Sequence, residues 1–275
     1  MIRSAVTISL IPQAKGGPFV FWDDLSGACG KAKSLGFDGV EIFAPSGQAI
    51  ASANLKSLLG DQNLRLAAVG TGGGWVLHRL TLTGPDAAAR MQARDFIRGI
   101  IDAGGAFGAP AIVGSMQGRW DEQTSRDVAL GRLREALEDL GRHAKQYNVP
   151  LLFEPLNRYE TNLINSIDDG CALMQSLGNA NVKLLADLYH MNIEEADLAG
   201  ALKAGGKAIG HVHFADSNRR PMGLGHTDMN RVAGALREIG YDGYISAECL
   251  PYPAPDNAAK KTIESFNRFF RTNAG

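Results

Sequence analysis

The chain has 275 residues, 45% hydrophobic and 21% charged, with 33 glycines. That length suits a single eight-fold strand/helix barrel of roughly 250 residues and can bury a large core without a second domain. Lys plus Arg number 28 against 29 for Asp plus Glu, a net charge of -1, so no basic surplus exists to neutralise a phosphate backbone and nucleic acid is not an expected partner. No stretch approaches the roughly 20 apolar residues that span a bilayer. Cys29, Cys171 and Cys249 are odd in number and widely spread, which fits reduced, buried thiols in a cytoplasmic protein better than a disulfide framework or a zinc knuckle.

Eight short runs rich in Val, Ile, Leu and Phe alternate with longer segments of helical periodicity, near 5–10, 38–43, 64–70, 110–114, 149–154, 182–187, 208–214 and 243–248. This is the pattern of a parallel sheet covered by helices. The opening MIRSAVTISLIP reads as the first strand and not as a signal peptide, because its apolar run is short and no small-residue cleavage signature follows. After the third run, GTGGGWVLH at 70–78 lacks the terminal Lys and Ser/Thr of a P-loop, so it reads as a flexible loop and not as a phosphate cradle. Gly84-Pro85-Asp86 starts a helix that runs to Gly108, its last turn weakened by Gly104 and Gly105. Thr124 with Asp127 resembles a capping box, and Val128, Leu130, Leu133, Leu137 and Leu140 mark one buried face of a long helix reaching to Asn148. Ser166 with Asp169 opens a second such helix, striped by Ile167, Leu173, Met174 and Leu177, with Gly178 placed for a left-handed cap. The stretch AAKKTIESFNRFFRT closes the chain as a helix whose apolar face, Ile263, Phe266, Phe269 and Phe270, packs on the barrel. One domain, 1–275, is expected, with no internal repeat and no linker.

Glu154, Asp187, His213 and Glu248 each close one of four successive runs, LLFE, KLLAD, GHVHF and YISAE. Their separations of 33, 26 and 35 residues are each about one strand, one helix and two turns, so a barrel brings all four to one mouth, the rim where catalysis sits in this architecture. Any one of these carboxylates alone reads as a helix cap or a salt-bridge partner; the four together read as one site. Three carboxylates and an imidazole make a hard, mainly oxygen donor set that suits Mn²⁺, Mg²⁺ or Co²⁺ better than a thiolate-bound zinc. Glu160, His190 and Arg219 follow in the adjoining turns. A metal beside such carboxylates polarises a carbonyl while a neighbouring carboxylate removes the proton on the adjacent carbon, which is sugar chemistry.

The phrases FEPLNRYETNLINSIDD, ADLYHMNIEE, HVHFADSNRRPMGLGHTD and ISAEC resemble the xylose isomerase-like TIM-barrel superfamily, and within it the ketose 3-epimerases acting on free sugars such as tagatose, psicose and ribulose. The resemblance is dense from about 150 to 250, and GFDGVEIF at 36–43 is similar to the superfamily's second strand. It implies an α/β fold, a single (β/α)8 barrel, holding one divalent metal ion, Mn²⁺ first and Mg²⁺ or Co²⁺ after it, on Glu154, Asp187, His213 and Glu248. It further implies that Glu154 and Glu248 are the acid/base pair on opposite faces of a 2-ketose, inverting C3 through a cis-enediolate. Glu160, His190 and Arg219 would hold the sugar's first three oxygens or orient the catalytic carboxylates. Relatives of this kind are commonly dimers or tetramers, so the resemblance implies a homodimer or homotetramer.

Trp75, Trp120 and His226 are candidates for the pocket wall, the two tryptophans by stacking on the sugar or by packing. His78 and Arg119 have a similar place at the rim without a sharper role. His211, two residues before His213, falls on the same strand face one layer deeper and reads as a supporting core histidine. Asp216 is either a partner of the site or a loop cap. Rival activities on the same scaffold are an aldose-ketose or hydroxypyruvate isomerase and an inosose or keto-sugar dehydratase; a passive sugar-binding module is the non-enzyme alternative. The apurinic endonucleases of the superfamily need many histidines for several zinc ions, and this chain has 6.

Overall fold

The computed structural model describes residues 1–178 and 180–271. Its strands are β1 (Arg3–Ser9), β2 (Phe21–Trp22), β3 (Gly39–Phe43), β4 (Arg65–Gly70), β5 (Ala111–Val113), β6 (Leu151–Phe153), β7 (Val182–Asp187), β8 (Ile209–His213) and β9 (Tyr244–Ala247). From β3 to β9 each strand bonds to the next in parallel, and β1 bonds to both β3 and β9, which closes the ring. Eight strands thus form a barrel at the eight predicted runs. The two-residue β2 is an addition that pairs only with Ile8 and Ser9 of β1, too short to leave a periodic signal.

Between the strands lie α1 (Leu25–Leu35), α2 (Gly47–Ser52), α3 (Leu55–Gln62), α4 (Gly73–His78), α5 (Ala87–Gly105), α6 (Arg126–Lys145), α7 (Ile167–Ser176), α8 (Leu188–Glu194), α9 (Leu198–Gly205), α10 (Met229–Glu238) and α11 (Pro255–Phe266). Helices outside and side chains inside bury both faces of every strand, which is why the strands read as continuous apolar runs. The interior contains a buried group of Ala68, Ile112, Leu152 and Leu185 from β4 to β7. On the other side of the lumen the filling is polar, with Thr7, Glu41 and His211 all buried.

Helix starts follow their caps. Asp86 accepts from Ala88 N, and Ser166 accepts from Asp169 N while its hydroxyl donates to the Asp169 carboxylate. Gly178 has φ +60°, the left-handed cap that the sequence led one to expect.

Four expectations need correction. Helix α6 begins one residue later than the Thr124 box implies, at N-cap Ser125 without a side-chain cap, because the Thr124 N–H is taken by Asp121. Its buried face is Ala129, Leu133, Ala136, Leu137 and Leu140, whereas Val128 is 46% exposed and Leu130 only partly buried: the small alanines, not the larger neighbours, carry the 3.6-residue period. Gly104 and Gly105 do not fray α5. A Cβ on Gly105 would stand 2.3 Å from the Tyr147 ring, and one on Gly104 would stand 2.9 Å from the Ala109 carbonyl oxygen, so both exist for close packing. The 70–74 segment is likewise not a flexible loop: α4 starts within it, and Cβ atoms on Gly72, Gly73 and Gly74 would come within 2.6 Å of Phe43, the Ala44 oxygen and Met116.

The closing helix is as expected, with Ile263 and Phe266 buried and Phe269 and Phe270 packed partly buried against the core through a π-helical turn at Asn267–Arg271; Thr272 lies outside the described residues. Cys29 and Cys249 are buried, Cys171 is half-buried, and burial pushes the thiols of Cys29 and Cys249 up to about 11 and about 12. Among the described residues no helix is long and apolar enough to cross a membrane.

Candidate metal centre

Asp187 and His213 are the last residues of β7 and β8, and Glu154 and Glu248 follow β6 and β9 directly. One ligand-type atom from each of the four lies within 4.8 Å of all the others. His213 Nδ1 stands 3.3 Å from Glu154 Oε1, 3.4 Å from Asp187 Oδ2 and 3.4 Å from Glu248 Oε2. The ring thus faces three acidic oxygens at once. His213 Nδ1 and Glu154 Oε1 are buried without a hydrogen-bond partner, a state that costs about 1–3 kcal/mol per group. A divalent cation coordinated by both satisfies them together, and the oxygen-rich donor set matches such an ion.

The charges are strongly coupled. Burial, with Glu248 and Asp187 close by, pushes the Glu154 carboxyl up to about 8 against the pull of His213. Asp187 is buried too, yet the Arg219 guanidinium 2.5 Å away, together with His190 and His213, holds it well below the usual carboxylate range. Arg219 bonds both Asp187 and Glu248 and lies over the Tyr189 ring, 4.7 Å from its centroid. It comes from a loop organised by buried Asp216, whose carboxylate accepts backbone N–H bonds from Ser217, Gly223, Gly225 and Thr227. Asp216 is therefore a loop anchor, its carboxylate taken up by backbone amides of its own loop.

His190, on α8, sits with Nε2 3.8 Å from Glu154 Oε1 and 3.7 Å from Asp187 Oδ2. Its Nδ1 accepts from the Asn157 backbone N–H at 3.3 Å. A backbone N–H can only donate, so the ring proton is on Nε2, pointing into the site. Burial pushes the imidazole down to about 4, so it is neutral at ordinary pH. Glu160 is half exposed at the rim, accepts from Asn157 Nδ2 at 3.3 Å, and is raised in pKa by burial.

Two participants escaped the sequence reading. Asn157, which fixes His190, carried no signal beyond its place in FEPLN. Glu41 did carry one: it is a charged residue in the middle of the apolar run GVEIF, and a buried charge needs partners. It accepts from His211 Nε2 at 2.8 Å and His213 Nε2 at 3.0 Å. His211 is accordingly the supporting histidine expected of it.

Glu154, His213 and Glu248 line a cavity of about 440 Å³ whose wall also includes Phe19, Phe43, Trp75, Glu160 and His190. Phe19 and Phe43 stack with centroids 4.5 Å apart. Trp75 is thus a wall residue, while Trp120 and His226 are not among those lining this cavity. The Trp120 indole donates to the Asn162 carbonyl and docks on the next loop; His226 lines a separate pocket beside α9 and α10. Arg119 ties the same loops through the Tyr159 and Glu160 carbonyls, and His78 packs edge-on against Phe96.

A family model described as a xylose isomerase-like TIM barrel matches residues 29–269. The chain is 29% identical over 243 residues to a D-psicose 3-epimerase of Agrobacterium fabrum, covering 86% of this chain and 79% of the relative. It is 30% identical over 226 residues to a 3-dehydro-D-guloside 4-epimerase of Escherichia coli, covering 78% and 83%. In fold it is similar to a solved D-allulose 3-epimerase from Methylomonas sp., with a TM-score of 0.82 at 24% identity over 98% of this chain and 97% of that one.

Proposed function

Because the chain belongs to the xylose isomerase-like TIM barrel family, we propose that it is a metal-dependent epimerase of free ketoses, inverting C3 through a cis-enediolate. The observation that carries this reading is the order around the rim: Glu154 and Glu248, from β6 and β9, flank Asp187 and His213, from β7 and β8. Inversion needs a base on one side of the reacting carbon and an acid on the other.

In this reading Glu248 takes the C3 proton and Glu154, entering the cycle protonated, returns one from the other face; the reverse reaction exchanges the roles. His190 offers its Nε2–H to a sugar oxygen, Arg219 neutralises negative charge near Asp187 and Glu248, and Glu160 with Arg219 and His190 holds the first three oxygens. Glu154, Asp187, His213 and Glu248 would hold the cation, Mn²⁺ first and Mg²⁺ or Co²⁺ after it. A divalent ion there supplies Lewis-acid polarisation of the carbonyl and stabilises charge on the oxygens beside it. With this reading go one domain over 1–275, a homodimer or homotetramer, and carbohydrate metabolism in the cytoplasm.

The E. coli relative at 30% identity favours a second reading in which the ketone stands at C3 and the inverted carbon is C4; the acid/base chemistry is the same. A panel of free ketoses and 3-keto-glycosides, each assayed with Mn²⁺, Mg²⁺ and Co²⁺ and with chelator, separates the two. Metal-dependent conversion of a ketose to its C3 epimer supports the proposal; turnover confined to 3-keto-glycosides replaces it with the second reading.

A further inference from the structure

We infer that Glu41 is a positioning residue for the metal centre, fixing the ring proton of His213 on Nε2 so that Nδ1 faces the three acidic oxygens with a free lone pair. The inference rests on the quartet being a metal site. Glu41 projects from β3 into the lumen, where it is 3% exposed, and reaches β8, with β1 and β9 intervening in the ring. A buried carboxylate is costly unless it is paired and hydrogen-bonded. Its two oxygens are divided between two imidazoles, Oε2 to His211 and Oε1 to His213, at 2.8 and 3.0 Å.

An ionised carboxylate can only accept. Both Nε2 atoms must therefore carry hydrogen, and when His213 is neutral, as a metal ligand has to be, its lone pair lies on Nδ1, the atom 3.3–3.4 Å from Glu154, Asp187 and Glu248. His211 occupies the second oxygen, with its ring edge-on to His213 at 5.6 Å and 85°, so the carboxylate is gripped at two points. Glu41, His211 and His213 also have the composition of a second cation site. The facing atoms of this trio already satisfy one another at 2.8 and 3.0 Å, and none of them is left unpartnered as His213 Nδ1 and Glu154 Oε1 are in the quartet, which makes the trio a clamp and not a second centre.

The test reads metal binding and ring protonation, not turnover. In Glu41→Gln the amide has one acceptor oxygen and an NH₂ that opposes the second imidazole N–H, so one histidine must change tautomer. Calorimetric titration with Mn²⁺ should show affinity 10–100-fold weaker than wild type. In His211→Gln, which keeps the Glu41–His213 bond, affinity should stay within about threefold. Nitrogen-15 correlation spectra of the Mg²⁺-loaded wild-type chain, which need no substitution, should show His213 protonated at Nε2 and ligated at Nδ1. Unchanged Mn²⁺ affinity in Glu41→Gln, an equal loss in both variants, or a proton on His213 Nδ1 would overturn the inference. A wild-type chain that binds no divalent cation would instead refute the metal reading of the quartet, and this inference with it.

Discussion

Gly114, directly after β5, is where a single methyl group should separate catalysis from folding. A Cβ there would stand 2.6 Å from Glu154 Oε2, 3.6 Å from its Cδ and 3.7 Å from Leu156 Cδ2. The backbones cannot spread easily, because Glu154 N–H donates to the Val113 carbonyl at 3.0 Å and Gln117 Nε2 to the Glu154 carbonyl at 3.0 Å. Relief falls on the carboxylate, which must retreat about 0.8 Å to reach the 3.4 Å of ordinary contact. Its other oxygen is the one 3.3 Å from His213 Nδ1. A misplacement near 1 Å at a reacting group costs on the order of 100-fold, so Gly114→Ala should lower kcat/KM about 10- to 100-fold, while overpacking costs about 1–3 kcal/mol of stability. Gly131→Ala is the control: it lies within α6 with nothing within 4 Å of a built Cβ, and should stabilise by about 0.5–1 kcal/mol with unchanged turnover. Paired rate assays and calorimetric unfolding decide the matter. A Gly114→Ala enzyme with wild-type kcat/KM would refute the claim that Glu154 is held in a working position by the space this glycine leaves.

Glu248→Gln should reduce epimerisation about 10²- to 10⁴-fold, with Mn²⁺ binding measured in parallel to separate lost chemistry from lost metal. Glu154 has its folded pKa raised to about 8 from an ordinary 4.5, so in the metal-free chain its contribution to stability is full below 4.5 and is lost as pH rises through 8. Calorimetric unfolding of the metal-free chain between about pH 4 and 9 should show that loss, and Glu154→Gln should flatten the profile. Removing the metal from protein held at 100 Kd withdraws about 2.7 kcal/mol, which at about 2–4 °C per kcal/mol lowers Tm by roughly 5–10 °C in a scanning calorimeter. Asp216→Ala orphans four backbone N–H groups; amide exchange over 217–227 should quicken and KM should rise as Arg219 loses its support, with β-strand exchange unaffected.

The barrel was legible because strands buried on both faces must be apolar throughout, and the eight runs sit within a residue or two of the eight barrel strands. The quartet was legible for the same reason: a charge closing such a run, as Asp187 and His213 do, is conspicuous and the fold aims all such ends one way. What the sequence concealed is set by contacts across the fold. Glycines 72–74 read as flexibility, yet they are fixed by Phe43, Ala44 and Met116 from two other segments. Trp120 and His226 had the right place along the chain, but the direction of a rim side chain depends on a neighbouring loop, here the Asn162 carbonyl for the indole. Glu41 could have been found from its interruption of GVEIF; its partners lie 170 and 172 residues away and only ring closure brings them near.

Deuterium incorporation bears most directly on the central claim that the rim carboxylates and a bound cation exchange the proton on the carbon beside a sugar ketone. A ketose turned over in D₂O with Mn²⁺ should acquire deuterium at C3 in the inverted product, none at C1, and no label after chelation. Inversion without solvent deuterium at the inverted carbon, with no internal return of the original proton from a C3-deuterated substrate, would contradict the account.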